Sequence, residues 1–314
     1  MPTMNQAVSK SARRVRSGAL VGIGLMLLGT FLFSVNDVMG KWLVATYSVG
    51  QVLLLRGLAA LAVLLPIMRQ QNIPVRVPPQ PGLHAFRILL STLEVSCFYW
   101  AVTYLPLADV MTYYLAGPIY VAAFAVFWLG ERIDRPRILA IAVGFIGVLI
   151  ALHPSPATIS WPALIALAGS LFYSLLMIAT RKLRDTDDGT LVLGQMLGNV
   201  LFGIVVAPFA WVTPDWLDLA GLFLLGVVSM TAHACVNRSL KIAPASVVAP
   251  YQYTLIVWAI VLGYLAFGDI VEFWTLVGAA VICTAGVALL LLEREAARRG
   301  REARDIEEPV LPEA

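Results

Sequence analysis

Long apolar runs follow one another along this chain with only short polar breaks between them. Windows with few charges or none cover residues 18–43, 49–68, 84–104, 108–129, 137–152, 161–180, 190–212, 216–237, 245–267 and 271–292. An α-helix rises about 1.5 Å per residue, so about 20 apolar residues cross a hydrocarbon core of about 30 Å. The pattern predicts an all-α integral membrane protein of ten transmembrane helices, the fifth of them short. A basic segment, 1–17, precedes the first run, and a charged, proline-punctuated tail, 293–314, follows the last; it reads as a frayed helix end and a disordered remainder. Lys10, Arg13, Arg14 and Arg16 ahead of an apolar stretch resemble a secretory leader. The stretch continues past Phe33 without a small-residue cleavage site, so it reads as an uncleaved first helix.

Composition agrees with a bilayer as solvent. Hydrophobic residues make up 60% of the chain and charged residues 13%, with a mean hydropathy of +0.83, whereas soluble domains carry about 25% charged residues. The net charge of +3 lies in the breaks between spans and does not point to a nucleic-acid partner. Its placement reports orientation instead. With the N-terminus cytoplasmic, all but Lys41 and Arg56 of the 22 Lys and Arg residues fall at or near the cytoplasmic side. That bias places both termini in the cytoplasm of an inner-membrane protein and requires an even number of spans.

The chain repeats. Leu105-Pro106-Leu107-Ala108 matches Ala243-Pro244-Ala245-Ser246, and the offset of 138 from Pro106 to Pro244 also pairs Cys97 with Cys235, Tyr113 with Tyr251, Gly130 with Gly268 and Glu131 with Asp269. Upstream, Gly29, Ser34 and Lys41 fall against Gly169, Ser174 and Arg181 at an offset of 140; downstream, Gly147-Val148 falls against Gly286-Val287 at 139. Two copies of five spans result, 18–152 and 153–292. Five is odd, so the second copy enters the membrane from the opposite side. Inverted repeats of this kind suit alternating access, because exchanging the conformations of the halves exchanges the open side.

These doubled motifs, namely the proline turns that open spans four and nine, Gly130-Glu131-Arg132 and Gly268-Asp269 at their ends, and the following Gly-Val pairs, resemble the paired EamA-type domains of the drug/metabolite transporter superfamily. The resemblance covers about 18–292 and departs from the pattern at Asp269, where the family often has glutamate. It implies ten helices around a central site, a secondary transporter rather than an enzyme, and a small polar solute: import of riboflavin or S-adenosylmethionine, or export of amino acids and drugs.

Charges inside a bilayer are costly and face the bundle interior, so each is a functional candidate. Glu94, in the middle of the third span, is poorly solvated as a carboxylate and reads as a proton-coupling or cation-binding group. Arg56 is placed to hold a substrate carboxylate or phosphate, or to neutralise Glu94 or Asp37. Asp37 and Lys41, four residues apart on one helix, read as a structural pair or an outer gate. His233 is the one histidine deep in a span, a relay candidate that equally fits a hydrogen-bonded structural role. Asn36, Tyr113, Tyr173, Asn237 and Gln252 complete the expected substrate set, within a wider cluster that includes Tyr99, Tyr114, Asn199, Tyr251 and Tyr253; aromatic walls with a few fixed polar groups suit a planar ligand. Asp109 and Glu131 read as helix-end groups, and Trp42, Trp128, Trp161, Trp211 and Trp216 as interface anchors. Gly18 with Gly22 and Gly194 with Gly198 have the GxxxG spacing of close helix contact, within the bundle in preference to a homodimer. Pro118, Pro208 and Pro250 are hinge candidates.

No cofactor or metal is expected. Cys97, Cys235 and Cys283 lie in apolar runs without disulfide or zinc spacing and read as small buried hydrophobes, and His84, His153 and His233 are scattered. An integral-membrane enzyme acting on lipid or isoprenoid would need a nucleophile with its base or a metal cluster, and a receptor would need an output domain; neither is visible. The expected partners are a small-molecule substrate and the lipid bilayer.

Overall fold

The computed structural model describes residues 4–71, 80–117, 119, 120, 124, 135–152, 160–183, 186–242 and 249–307, with the side chains of 4–19 and of Asn237 among those outside the described set. The described residues form ten α-helices and no strand: α1 (Met4–Val44), α2 (Val49–Gln70), α3 (Pro81–Tyr104), α4 (Leu107–Leu115), α5 (Arg135–Leu152), α6 (Trp161–Lys182), α7 (Asp188–Val206), α8 (Trp216–Ile242), α9 (Thr254–Phe267) and α10 (Phe273–Glu307). Local chemistry sets the ends. Ser48 caps α2 by accepting from the Gln51 N–H at 3.3 Å, and Asp187 caps α7 by accepting from the Gly189 N–H at 2.8 Å. Pro208 and Pro250 lie not inside α-helices but in the 3-10 turns Ala207–Ala210 and Ala249–Tyr253, which follow α7 and precede α9. Pro118 and Glu131 lie outside the described residues.

Six stretches are long and apolar enough to cross a bilayer: Leu20–Val44, Val49–Gln70, Pro81–Tyr104, Trp161–Thr180, Gly189–Ala210 and Trp216–Val236. Three shorter apolar helices accompany them, Ile138–Ala151, Tyr251–Phe267 and Phe273–Ala288, and part of the expected fourth span, mainly its second half, lies outside the described residues. Two boundaries differ from the hydropathy reading. Helix α1 begins at Met4, well inside the basic segment, and α10 runs through the tail to Glu307. Lysine, arginine and glutamate are good helix formers, so an apolar window marks the hydrocarbon layer and not the length of the helix. Trp42, Trp161, Trp211 and Trp216 stand exposed near span ends, as anchors should, while Trp128 is outside the described residues.

The packing of helices carries the repeat. α1 lies against α8 and α3 against α6; α2 lies against α7 and α8, and α3 also against α7; α1 touches α9 and α4 touches α6; α4 meets α9 and α5 meets α10. Exchanging the five helices of one half with those of the other maps every one of these pairings onto another or onto itself. Single residues obey the same exchange. On the seam of α1 and α8, a Cβ on Gly29 would stand 3.3 Å from that of Cys235; on the seam of α6 and α3, one on Gly169 would stand 3.0 Å from that of Cys97. Apolar burial gives little drive between helices in lipid, and small residues that admit close backbone contact supply the packing. Gly203 sits on Leu54 and the Gly50 carbonyl, Gly278 on Ala151 and the Gly147 carbonyl, and Gly198 on Ile88 and Thr92. The Gly194–Gly198 motif thus packs within the bundle. The Gly22 carbonyl, accepting from the Ser239 hydroxyl at 2.6 Å, is likewise occupied inside the chain.

Candidate functional site

Where α1, α2, α3 and α8 converge, four polar side chains are buried together: Asn36, Asp37, Arg56 and Tyr99. Arg56 donates from Nη1 to the Tyr99 hydroxyl and from Nη2 to the Ser229 hydroxyl at 2.8 Å, and its guanidinium lies 5.3 Å from the Tyr99 ring centroid. Asn36 Nδ2 donates to Asp37 Oδ1 at 3.3 Å and reaches the Tyr99 hydroxyl at 3.5 Å. Glu94, one turn below Tyr99 on α3, interacts electrostatically with both Arg56 and Asp37. It is half-buried, as are Tyr114, Tyr173 and His233.

Aromatic rings pack beside these groups. Phe98 packs edge-on against both Tyr99 and Tyr114, each with centroids 5.5 Å apart; Tyr114 and Tyr173 lie 6.2 Å apart, and the Tyr114 hydroxyl donates to the Glu94 carbonyl at 3.1 Å. His233 donates from Nδ1 to the Ser229 carbonyl at 2.8 Å and stands edge-on to Phe33 at 4.7 Å. Ser229 therefore joins the histidine to the arginine.

The structure brings Asn36, Asp37, Arg56, Glu94, Tyr173 and His233 into one neighbourhood. Tyr113 is buried in the main core beside Asp109 and Glu272, and Gln252 sits half-buried in the 3-10 turn before α9. Asn237 is on α8, and its side chain is outside the described set.

The pairing of Asp37 with Lys41 gives way to a different one. Lys41 Nζ lies 2.5 Å from Asp269 Oδ2 and 4.6 Å from the Phe267 ring centroid, while Asp37 is held by Asn36. The reason is backbone geometry after α9. Gly268 adopts φ 70°, its N–H returns to the Tyr264 carbonyl at 2.9 Å, and the reversal sets Asp269 over the end of α1 and the first N–H of α4, Leu107, at 3.4 Å. Nor does Arg56 form an ion pair within 4 Å with Glu94 or Asp37; among the described residues its partners are neutral hydroxyls.

Two residues escaped the sequence reading. Ser229 was passed over, although the offset of 138 pairs it with Ser91, equally buried. Tyr47, in the turn after α1, donates to Asp218 Oδ2 at 2.5 Å, and that carboxylate pushes the phenol up to about 12 so that it stays a donor. Beside it the Gln51 amide spans to Val212, accepting from its N–H at 3.0 Å and donating to its carbonyl at 2.5 Å. With Lys41–Asp269, these links tie the two halves together at one end of the bundle. Among the described residues no group of three or more His, Cys, Asp or Glu side chains could hold a metal ion, and Cys97, Cys235 and Cys283 are half-buried free thiols.

Apolar helices in two exchangeable sets, with a charged and aromatic cluster buried between them, fit a multi-pass membrane transporter. The chain matches the model of the EamA-like transporter family twice, over residues 20–152 and 160–292, and belongs to that family. It is similar to the S-adenosylmethionine uptake transporter of Rickettsia conorii, 26% identical over 90% of this chain and 97% of that one. It is also similar to the pseudopaline exporter CntI of Pseudomonas aeruginosa, 27% identical over 85% and 95%, and to the riboflavin transporter of Vibrio cholerae, 25% identical over 77% and 83%. A solved crystal structure shares the fold at a TM-score of 0.59 and 18% identity, covering 88% of this chain and 98% of the other.

Proposed function

We propose that this chain is a secondary active transporter that carries a small polar organic metabolite across the inner membrane by alternating access, both termini lying in the cytoplasm and the halves 18–152 and 153–292 rocking about the central space. The observation that carries the reading is the cluster itself. An arginine buried against neutral hydroxyls and a half-accessible carboxylate deep in the bundle are costly to keep unless something binds there. Arg56, Asn36, Glu94, Tyr173 and His233 form the substrate site, with Tyr99 and Ser229 orienting the arginine; Tyr113, Asn237 and Gln252 are its further candidates. Glu94 also takes up the coupling proton. The relative named as an S-adenosylmethionine uptake transporter supports uptake, the relative named as a riboflavin transporter supports a small metabolite as cargo, and the relative named as an exporter supports efflux through the same site.

The test is solute accumulation in sealed proteoliposomes with an imposed proton gradient, run for S-adenosylmethionine, riboflavin and amino acids in both gradient directions. Gradient-dependent accumulation of one of them is expected. Glu94→Gln should flatten the pH dependence of the rate between about pH 5 and pH 8; a variant with the wild-type profile would end the coupling role.

A further inference from the structure

We propose, building on the transporter reading above, that the substrate is a zwitterion, whose carboxylate binds Arg56 and whose ammonium or sulfonium centre sits between Glu94 and the rings of Tyr114 and Tyr173. Unused hydrogen-bonding atoms point to it. Arg56 and Asn36 are 3% and 4% exposed, and among the described residues Arg56 Nε has no acceptor and Asn36 Oδ1 no donor. A buried donor and a buried acceptor left open in one cluster are costly, and each is completed by the opposite group of a ligand. A carboxylate fits the guanidinium edge at Nε, and an N–H of a cationic centre fits Asn36 Oδ1.

The charge count agrees. Asp37 and Glu94 bring two carboxyl groups near the single guanidinium of Arg56, so a ligand carrying one anion and one cation finds an opposite partner for each. Rings on the Glu94 side supply the remaining recognition, since Phe98, Tyr114 and Tyr173 pack against one another beside it, the Tyr114 hydroxyl donating to its backbone carbonyl, and aromatic rings attract onium groups.

The site is also one-sided in a way that suits a ligand with unlike ends. Asp37, Arg56 and Glu94 all come from the first half, and at the offset of 138 that pairs Cys97 with Cys235 the position matching Glu94 is Ala232. The second half contributes hydroxyls, an imidazole and a ring.

Calorimetry on the purified wild-type protein tests the claim with ligands differing by one charge. The panel pairs S-adenosylmethionine with its decarboxylated form, arginine with agmatine, and tryptophan with both tryptamine and indole-3-propionate, and adds riboflavin as a ring compound without a zwitterionic group. At least one zwitterion should bind, and every partner lacking a charge should bind about tenfold more weakly or worse. Arg56→Gln should erase the preference over the decarboxylated partner, and Glu94→Gln the preference over indole-3-propionate. The wild-type series stands without the variants should either fail to fold. Riboflavin, or a partner lacking one of the two opposite charges, binding as tightly as the best zwitterion, or no zwitterion binding, overturns the proposal. Accumulation of riboflavin in proteoliposomes would sink the zwitterion and keep the transporter; selective zwitterion binding without accumulation of any solute would do the reverse.

Discussion

Tyr99 shows how much one hydroxyl organises. It is fully buried, accepts from Arg56 and is approached by Asn36, so it fixes the arginine in the rotamer that leaves Nε open. Tyr99→Phe keeps the ring and strips that acceptor from a buried charge. We expect a loss of about 1–3 kcal/mol, read as a lower melting temperature of the purified protein, together with weaker substrate binding. A melting temperature equal to wild type would mean that Arg56 finds another partner without cost. The charged members of the site were legible in the sequence because a carboxylate or guanidinium inside an apolar run has no other ready explanation. Ser229 was not, because a hydroxyl in a helix can satisfy itself on the preceding turn and carries no sign of a distant partner.

At the scale of elements, glycines decide how closely helices approach. A Cβ on Gly226 of α8 would run into the Arg56 carbonyl and stand 3.0 Å from the Ala59 Cβ and 3.1 Å from the Ala60 N, whereas at Gly24 of α1 nothing lies within 4 Å. Gly226→Ala should push α8 off α2 and cost about 1–3 kcal/mol through overpacking. Gly24→Ala should be neutral or stabilise by up to about 1 kcal/mol, from helix propensity. Thermal unfolding of both variants compares them directly, and equal shifts would refute the packing argument. The existence of the helices was readable from apolar run length, and the repeat from paired Gly, Pro and Cys positions. The ends of α1 and α10 were not, because hydropathy is silent on helices that continue into water. The shortening of α7 and α9 by 3-10 turns at Pro208 and Pro250 follows from the missing N–H of proline, a local rule that a window average smooths away.

For the molecule as a whole, Lys41–Asp269 joins the end of the first helix to the loop between the last two, and so binds one half to the other. Its side chains are 15% and 20% exposed, and partial solvation keeps such a pair to about 1 kcal/mol. That is enough to shift a two-state balance severalfold. Lys41→Asp should therefore lower transport and loosen the closed end, seen as faster labelling of a cysteine placed at Gln51. Adding Asp269→Lys should restore both, and a double variant as impaired as the single one would show that the pair is no latch. No sequence spacing announced it, since the nearer acid, Asp37, lies on the same helix one turn away, and the partner is set by a glycine reversal in the other half.

The duplicated seam has a consequence for how such a carrier changes. Gly29 against Cys235 and Gly169 against Cys97 are twin joints, carried into one another by the exchange of halves. Under the alternating access proposed above, a heavier side chain in one twin would prop one door, and in the other twin the opposite door. Directional preference would then be a quarrel between duplicates, and a change at either could reset it while leaving the passenger's seat untouched.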